Sequence, residues 1–135
     1  MIPPFDDNGY LPPGIHACSL EEIAGRFGHG SPEREVEMKE LREFIKWCET
    51  AGVIRVVVNG SFATSKVSPV DVDIVVCVGR DYPREQILLG QDEIRWPFLQ
   101  IVIAANDEDF TDWTNRIFAD NRRHGEKGML EVKRC

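Results

Sequence analysis

Two short stretches carry residue types that could do chemistry together: Gly60-Ser61, and Asp71-Val72-Asp73 nine residues further on. The second opens an apolar run, Asp71–Val78, that reads as a strand. Side chains alternate across a strand, so Asp71 and Asp73 share a face with their Cα atoms roughly 7 Å apart. Two carboxylates so placed repel one another unless something positive lies between them. Hard divalent cations take such oxygen ligands, and Mg²⁺ usually settles for one or two carboxylates plus the phosphate oxygens of a substrate. Gly60 and Ser61 supply the complementary half. A glycine lets a phosphate approach the backbone, and the N–H groups of the turn and the Ser61 hydroxyl can donate to it. Lys66, between the turn and the acids, is a further candidate phosphate contact. Each feature alone has an ordinary reading: a strand-ending turn, a solvated strand start, a surface lysine. Their joint spacing and strand context favour a site. An EF-hand is excluded, because Val75 stands where a third acid would be and no glycine occupies the sixth position.

The elements that must position these residues are legible around them. Val53–Asn59 is β-branched and reads as the strand that Gly60 stops. Before it, Ser19-Leu20-Glu21-Glu22 is a capping-box signature that opens a short helix to Phe27, broken by Gly28-His29-Gly30. Ser31-Pro32 starts a second helix, in which Leu41, Phe44, Ile45 and Cys48 fall on one face and Gly52 marks the end. A helix is expected from Pro83 to Ile94 and a third strand over Pro97–Ala104. Asp107 can cap a helix whose face carries Phe110, Trp113 and Ile117. Gly128–Lys133 reads as a closing edge strand. Residues 1–18, with Pro3, Pro4, Pro12, Pro13 and the Asn8-Gly9 turn, are expected to form an extended arm along the surface. Residues 19–135 then make a single α+β domain, a small mixed sheet with helices packed on it.

Gly60-Ser61 at the end of one strand, with Asp71-x-Asp73 at the start of the next, resembles the nucleotidyltransferase fold of DNA polymerase beta and the minimal nucleotidyltransferases. The resemblance implies that Gly60, Ser61 and Lys66 hold a nucleotide triphosphate. It implies that Asp71 and Asp73 are the catalytic acids and bind Mg²⁺ or Mn²⁺, for transfer of a nucleoside monophosphate by two-metal displacement. A narrower resemblance spans nearly the whole chain. The opening Met1-Ile2-Pro3-Pro4-Phe5-Asp6, Leu11-Pro12-Pro13-Gly14-Ile15-His16, Gly60-Ser61-Phe62 with Lys66, and Lys127-Gly128 look like a family of small, uncharacterised bacterial proteins with such a core. Small proteins of this kind imply a toxin–antitoxin or phage-defence setting, with RNA or protein as acceptor. The pattern departs at the third acid, for which the next strand offers Gln100. An amide adds no charge and cannot act as a base, so binding is implied more directly than turnover. The alternative is therefore a catalytically degenerate fold that serves as a partner-binding module, an antitoxin or regulatory subunit, with the arm and the basic C-terminal residues as contact surfaces.

Composition narrows the classes further. A formal net charge of −7 over 135 residues argues against a sequence-independent nucleic-acid binder, whose affinity would come from neutralising phosphates. A nucleotide or a folded RNA at one local site remains compatible. The longest apolar runs, Ile74–Val78 and Ile101–Ala105, are strand-sized, so no membrane span is expected. The N-terminus lacks the basic flank and apolar stretch of a signal peptide, so a cytoplasmic location is expected. Cys18, Cys48, Cys77 and Cys135 are scattered, and Cys48 and Cys77 read as buried thiols. His16, His29 and His124 fit no metal spacing. Trp47, Trp96 and Trp113 read as core. Arg80 and Arg84 could screen a triphosphate but read equally as plain surface charges. Arg116, Arg122, Arg123, His124, Lys127, Lys133 and Arg134 form a basic island, either a solvated helix end or a docking patch for RNA or an acidic partner.

Overall fold

The computed structural model describes residues 2–80, 96–119 and 128–133. The helix expected over 83–94, Arg84 and Cys135 lie outside these residues, and Lys133 is the one member of the basic island whose side chain is described.

The two N-terminal helices form where their end signals stand. Helix α1, Leu20–Phe27, carries the full capping box: the Glu22 N–H donates to Ser19 Oγ at 3.1 Å, and the Ser19 N–H donates to Glu22 Oε1 at 3.0 Å. Helix α2, Pro32–Ala51, begins with Ser31 accepting from the Arg34 N–H and ends at Gly52, whose φ of 82° is the left-handed turn that a glycine adopts without strain. It buries Met38, Leu41, Phe44, Ile45 and Cys48. Helix α3, Asp107–Ala119, is capped one residue earlier than expected. Asn106 Oδ1, not Asp107, accepts from the Asp109 N–H at 2.9 Å.

Among the described residues, five strands make one mixed sheet in the order β1-β5-β2-β3-β4, where β1 is Ile15–Cys18, β2 Val53–Asn59, β3 Val72–Val78, β4 Leu99–Ala104 and β5 Met129–Val132. β2 pairs antiparallel with β3 and β5, while β1–β5 and β3–β4 are parallel. The domain is α+β, with a small mixed sheet and helices on both faces. Two expectations change. β5 is not an edge strand, because the last four residues of the arm pair with it, Ile15 opposite Met129 through Cys18 opposite Val132. The arm is also more than a surface strap. Leu11 is fully buried, Tyr10 bridges Thr64, and the Ser65 N–H donates to the Gly9 carbonyl at 2.9 Å. Arg26 of α1 donates to the carbonyls of Ile2 and Pro3 and lies 4.3 Å above the Phe5 ring. The chain start is thereby tied to α1 and to the loop after β2.

The sheet separates two cores. Val56, Val58, Val72, Ile74 and Val76 face α1 and α2, with Phe27, Phe44 and Phe62. Val57, Val75, Cys77 and Ala104 face α3 through Phe110. Each buried Val, Ile or Phe among them contributes roughly 1.5–3 kcal/mol. Trp96 is buried edge-on against Phe44, and Trp47 and Trp113 pack partly buried against the two cores. Cys18, Cys48 and Cys77 are buried. Burial pushes the Cys18 thiol up to about 11, with the Glu22 charge adding to the rise, which leaves it protonated and inert at neutral pH. Among the described residues no helix is long and apolar enough to cross a membrane.

Candidate functional site

β2 ends at Asn59, and Gly60 turns the chain with φ 78° and ψ −163° into a short 3-10 turn, Ser61–Ala63. That backbone region is essentially restricted to glycine. Strand register then does the assembling. Asn59 lies opposite Asp73 on β3, and Asp73 opposite Gln100 on β4, so the three form one cross-strand row. By alternation the row belongs to the face that carries Val57, Val75 and Ala104. The Val75, Cys77 and Ala104 end of that face packs against α3, and the row sits at the other end of the same strands. The Asp73 carboxylate lies directly on Gly60: a Cβ there would stand 2.0 Å from Asp73 Oδ2. Asp71, one residue before β3, is half-buried. It lines a cavity of about 410 Å³ together with Gln100, Trp96, Pro97 and Val102, a volume within the range of small-molecule sites.

The candidate residues are thus partly gathered. Gly60 and Asp73 touch, Ser61 follows in the turn, and Asp71 shares its cavity with Gln100. Lys66 is exposed, and the fold uses its backbone: the carbonyl accepts from Arg34 and the N–H donates to Thr64 Oγ1. His16 and His29 pair with the carbonyls of Pro12 and Gly25, in keeping with structural roles.

Three residues of this neighbourhood escaped the sequence reading. Asn59 is 6% exposed, and its Nδ2 has no hydrogen-bond partner among the described residues. Arg34 is buried and donates five hydrogen bonds, to the carbonyls of Phe27, Phe62, Thr64 and Lys66, at 2.6–3.1 Å. It fastens the loop that follows Gly60-Ser61 to the start of α2. Glu37, 1% exposed, completes the set. A signal for the last two was present. Positions 34, 37, 41, 44 and 48 continue one helical stripe, and charged residues occupy its first two places.

Burial pushes the Glu37 carboxyl up to about 7; the Arg34 charge opposes the rise, and Asp71 and Glu33 add to it. Burial likewise lowers the Arg34 pKa, with Glu37 opposing. The sign for stability follows from the raised carboxyl. Below the ordinary value of 4.5 both states hold the proton, and Glu37 costs nothing. Between 4.5 and about 7 the unfolded chain gives up its proton while the folded one keeps it, so stability falls as pH rises and levels off above that window. Glu37→Gln should therefore gain on the natural protein between about pH 5 and about pH 8, by on the order of 1–2 kcal/mol after solvent screening. Urea unfolding at both pH values checks this, and a pH-independent difference would refute it.

Among the described residues no group of three or more His, Cys, Asp or Glu side chains could hold a metal ion. The donor set still fits Mg²⁺ held jointly with phosphate, since Asp71, Asp73 and the Gln100 amide oxygen lie on one face and one or two carboxylates suffice in that case. The Asn59 Nδ2, without a partner among the described residues, is a donor of the kind a phosphate oxygen satisfies, and the bare Gly60 Cα lets the Asp73 carboxylate lie against the turn. Fold and site together define a small α+β protein with a glycine turn set against an aspartate pair. Over residues 3–133 the chain matches DUF6932, a family of unknown function, and it belongs to that family. No curated protein and no solved structure matches it.

Proposed function

We propose that this protein is nucleotidyltransferase-like and binds Mg²⁺ or Mn²⁺ with a nucleotide triphosphate. The observation that carries the reading is the contact of the Asp73 carboxylate with Gly60, which sets the acid beside the turn suited to phosphate. Asp71 and Asp73 would hold the metal, and Gly60, Ser61 and the Asn59 amide would hold phosphate, with Lys66 free to swing in from the surface. Bound metal would neutralise the triphosphate and the leaving pyrophosphate. Transfer would join an acceptor oxygen, on RNA or protein, to the α-phosphorus and release pyrophosphate. The acceptor's proton would pass to an aspartate or to water, because Gln100 cannot take it. A toxin–antitoxin or defence setting, inside the cytoplasm, is the context proposed for such a reaction.

Gln100 favours a second reading on the same site. With an exposed amide in the row's third place, the fold would bind nucleotide without turnover and serve as a partner-binding subunit. The arm is a poor contact surface for that role, since Leu11 and β1 are built into the domain.

Thermal unfolding with Mg²⁺ or Mn²⁺ and each of the four ribonucleoside triphosphates tests both readings. A ligand at a hundred times its Kd adds about 2.7 kcal/mol, a shift of roughly 10 °C for a domain of this size. The shift should depend on metal and vanish in the Asp71→Asn/Asp73→Asn double variant. No shift with any pair would sink the nucleotide site. A shift with no transfer of labelled nucleotide to RNA or protein would select the second reading.

A further inference from the structure

Away from the aspartate row, the first turns of α2 and the loop at residues 68–70 enclose a separate groove of about 520 Å³. Its walls are apolar and open to solvent: Val36 is 45% exposed, Val70 80% and Phe98 41%. Its charged groups are two acids. Glu33 Oε2 accepts from Ser68 Oγ at 3.3 Å. Glu37 lines the groove almost wholly buried, and its Oε1 has no hydrogen-bond partner among the described residues. The neighbouring cation does not fill that vacancy, because all five Arg34 hydrogen bonds go to backbone carbonyls. A buried acceptor without a donor is costly, and natural interiors rarely leave one. The complement of this groove is a donor that carries positive charge on a compact apolar body. Anions are repelled by Glu33 and Glu37.

We propose that the groove between α2 and the 68–70 loop binds a small organic cation, a protonated amine or amidinium on an aromatic or aliphatic body. The charged group donates to Glu37 with Glu33 beside it, and the body packs against Val36, Val70 and Phe98. A free small molecule is favoured over a protein segment, because the groove is the size of a small-molecule site and its few wall residues fall far short of a stable protein interface. The assignment stands apart from the nucleotide reading and uses none of its residues.

The test titrates the full chain, without metal or nucleotide, with benzamidine and phenylethylamine, and with benzoate and benzyl alcohol as anionic and neutral counterparts. Calorimetry or amide-resonance shifts give the Kd. Both cations should saturate at about 1:1 and bind about tenfold or more tighter than benzyl alcohol, with no response to benzoate. Glu37→Gln should lose about tenfold in benzamidine affinity while keeping a cooperative unfolding transition. Val70→Ser, at an exposed wall position that leaves the core intact, should weaken it severalfold through lost apolar contact. Equal binding of benzamidine and benzyl alcohol, or unchanged affinity in Glu37→Gln, overturns the proposal. So does a capped arginine tripeptide that binds more tightly than benzamidine, which would assign the groove to a protein segment. A dimer in solution that Val70→Ser dissolves would assign it to a second copy of the chain.

Discussion

Arg34→Met should destabilise the domain by about 3–4 kcal/mol, among the largest effects of any single substitution in this chain. Methionine matches much of the volume of the side chain but donates nothing, so the carbonyls of Phe27, Phe62, Thr64 and Lys66 lose a buried partner at once. Each orphaned acceptor costs on the order of 1 kcal/mol or more. Arg34→Lys should recover only part of the loss. An ammonium radiates three donors from one point, whereas the planar guanidinium reaches four carbonyls on separate stretches of chain. Urea unfolding gives the free energies, and a fall in Tm of roughly 10 °C should accompany the methionine variant. A loss below about 1 kcal/mol would mean that water satisfies the freed carbonyls and that the loop is held by other contacts. On the nucleotide reading, the same variant should also weaken metal-dependent ligand binding, because residues 62–66 would lose their anchor to α2.

Gly60→Ala should cost about 2–3 kcal/mol of stability and remove metal-dependent nucleotide binding altogether. Two effects combine there. The φ of 78° with ψ of −163° is strained for any L side chain, and the added methyl group would stand 2.0 Å from Asp73 Oδ2. The carboxylate must swing away, and the alignment of acid and turn goes with it. Gly30→Ala separates the two effects, since Gly30 has φ 100° and nothing within 4 Å of an added Cβ. That control should show backbone strain alone, about 1–2 kcal/mol, with ligand binding intact. If Gly60→Ala keeps the full metal-dependent shift, the contact between Gly60 and Asp73 has no part in binding.

Much of this architecture was legible in the amino-acid order, for local reasons. The capping box at Ser19, the Ser31-Pro32 start and the Gly52 stop each act within one helical turn, and both helices begin and end there. β2, β3 and β4 announced themselves as β-branched or apolar runs bounded by breakers, with β3 starting at Val72 rather than Asp71. β1 did not. Ile15-His16-Ala17-Cys18 is a short stretch without alternation, and its partner Met129–Val132 lies over a hundred residues away in the chain. The prolines of the arm argue against a helix there, and residues 2–18 hold none, but they carry no information about where the path is buried.

The candidate site divides along the same line. Residue types and spacing alone singled out Gly60, Ser61, Asp71 and Asp73, because glycine freedom, hydroxyl donors and paired carboxylates are properties of the side chains themselves. Their placement is a matter of register. The pairing of Asn59 with Asp73 and of Asp73 with Gln100 depends on three strands settling against each other, and a slip of one residue would turn the row to the opposite face. The burial of Arg34 and Glu37 is likewise a tertiary outcome. On α2 alone they are two charged residues in a helical stripe, and only the 62–71 loop closing over them makes one a clamp and the other an unpaired acid. Sequence by itself determined most of the described elements, β1 excepted, and the chemistry they can offer, since those follow from forces that act within a few residues. Tertiary structure decided which of those groups meet and which lose their water, because desolvation and contact between distant segments exist only once the chain has folded on itself.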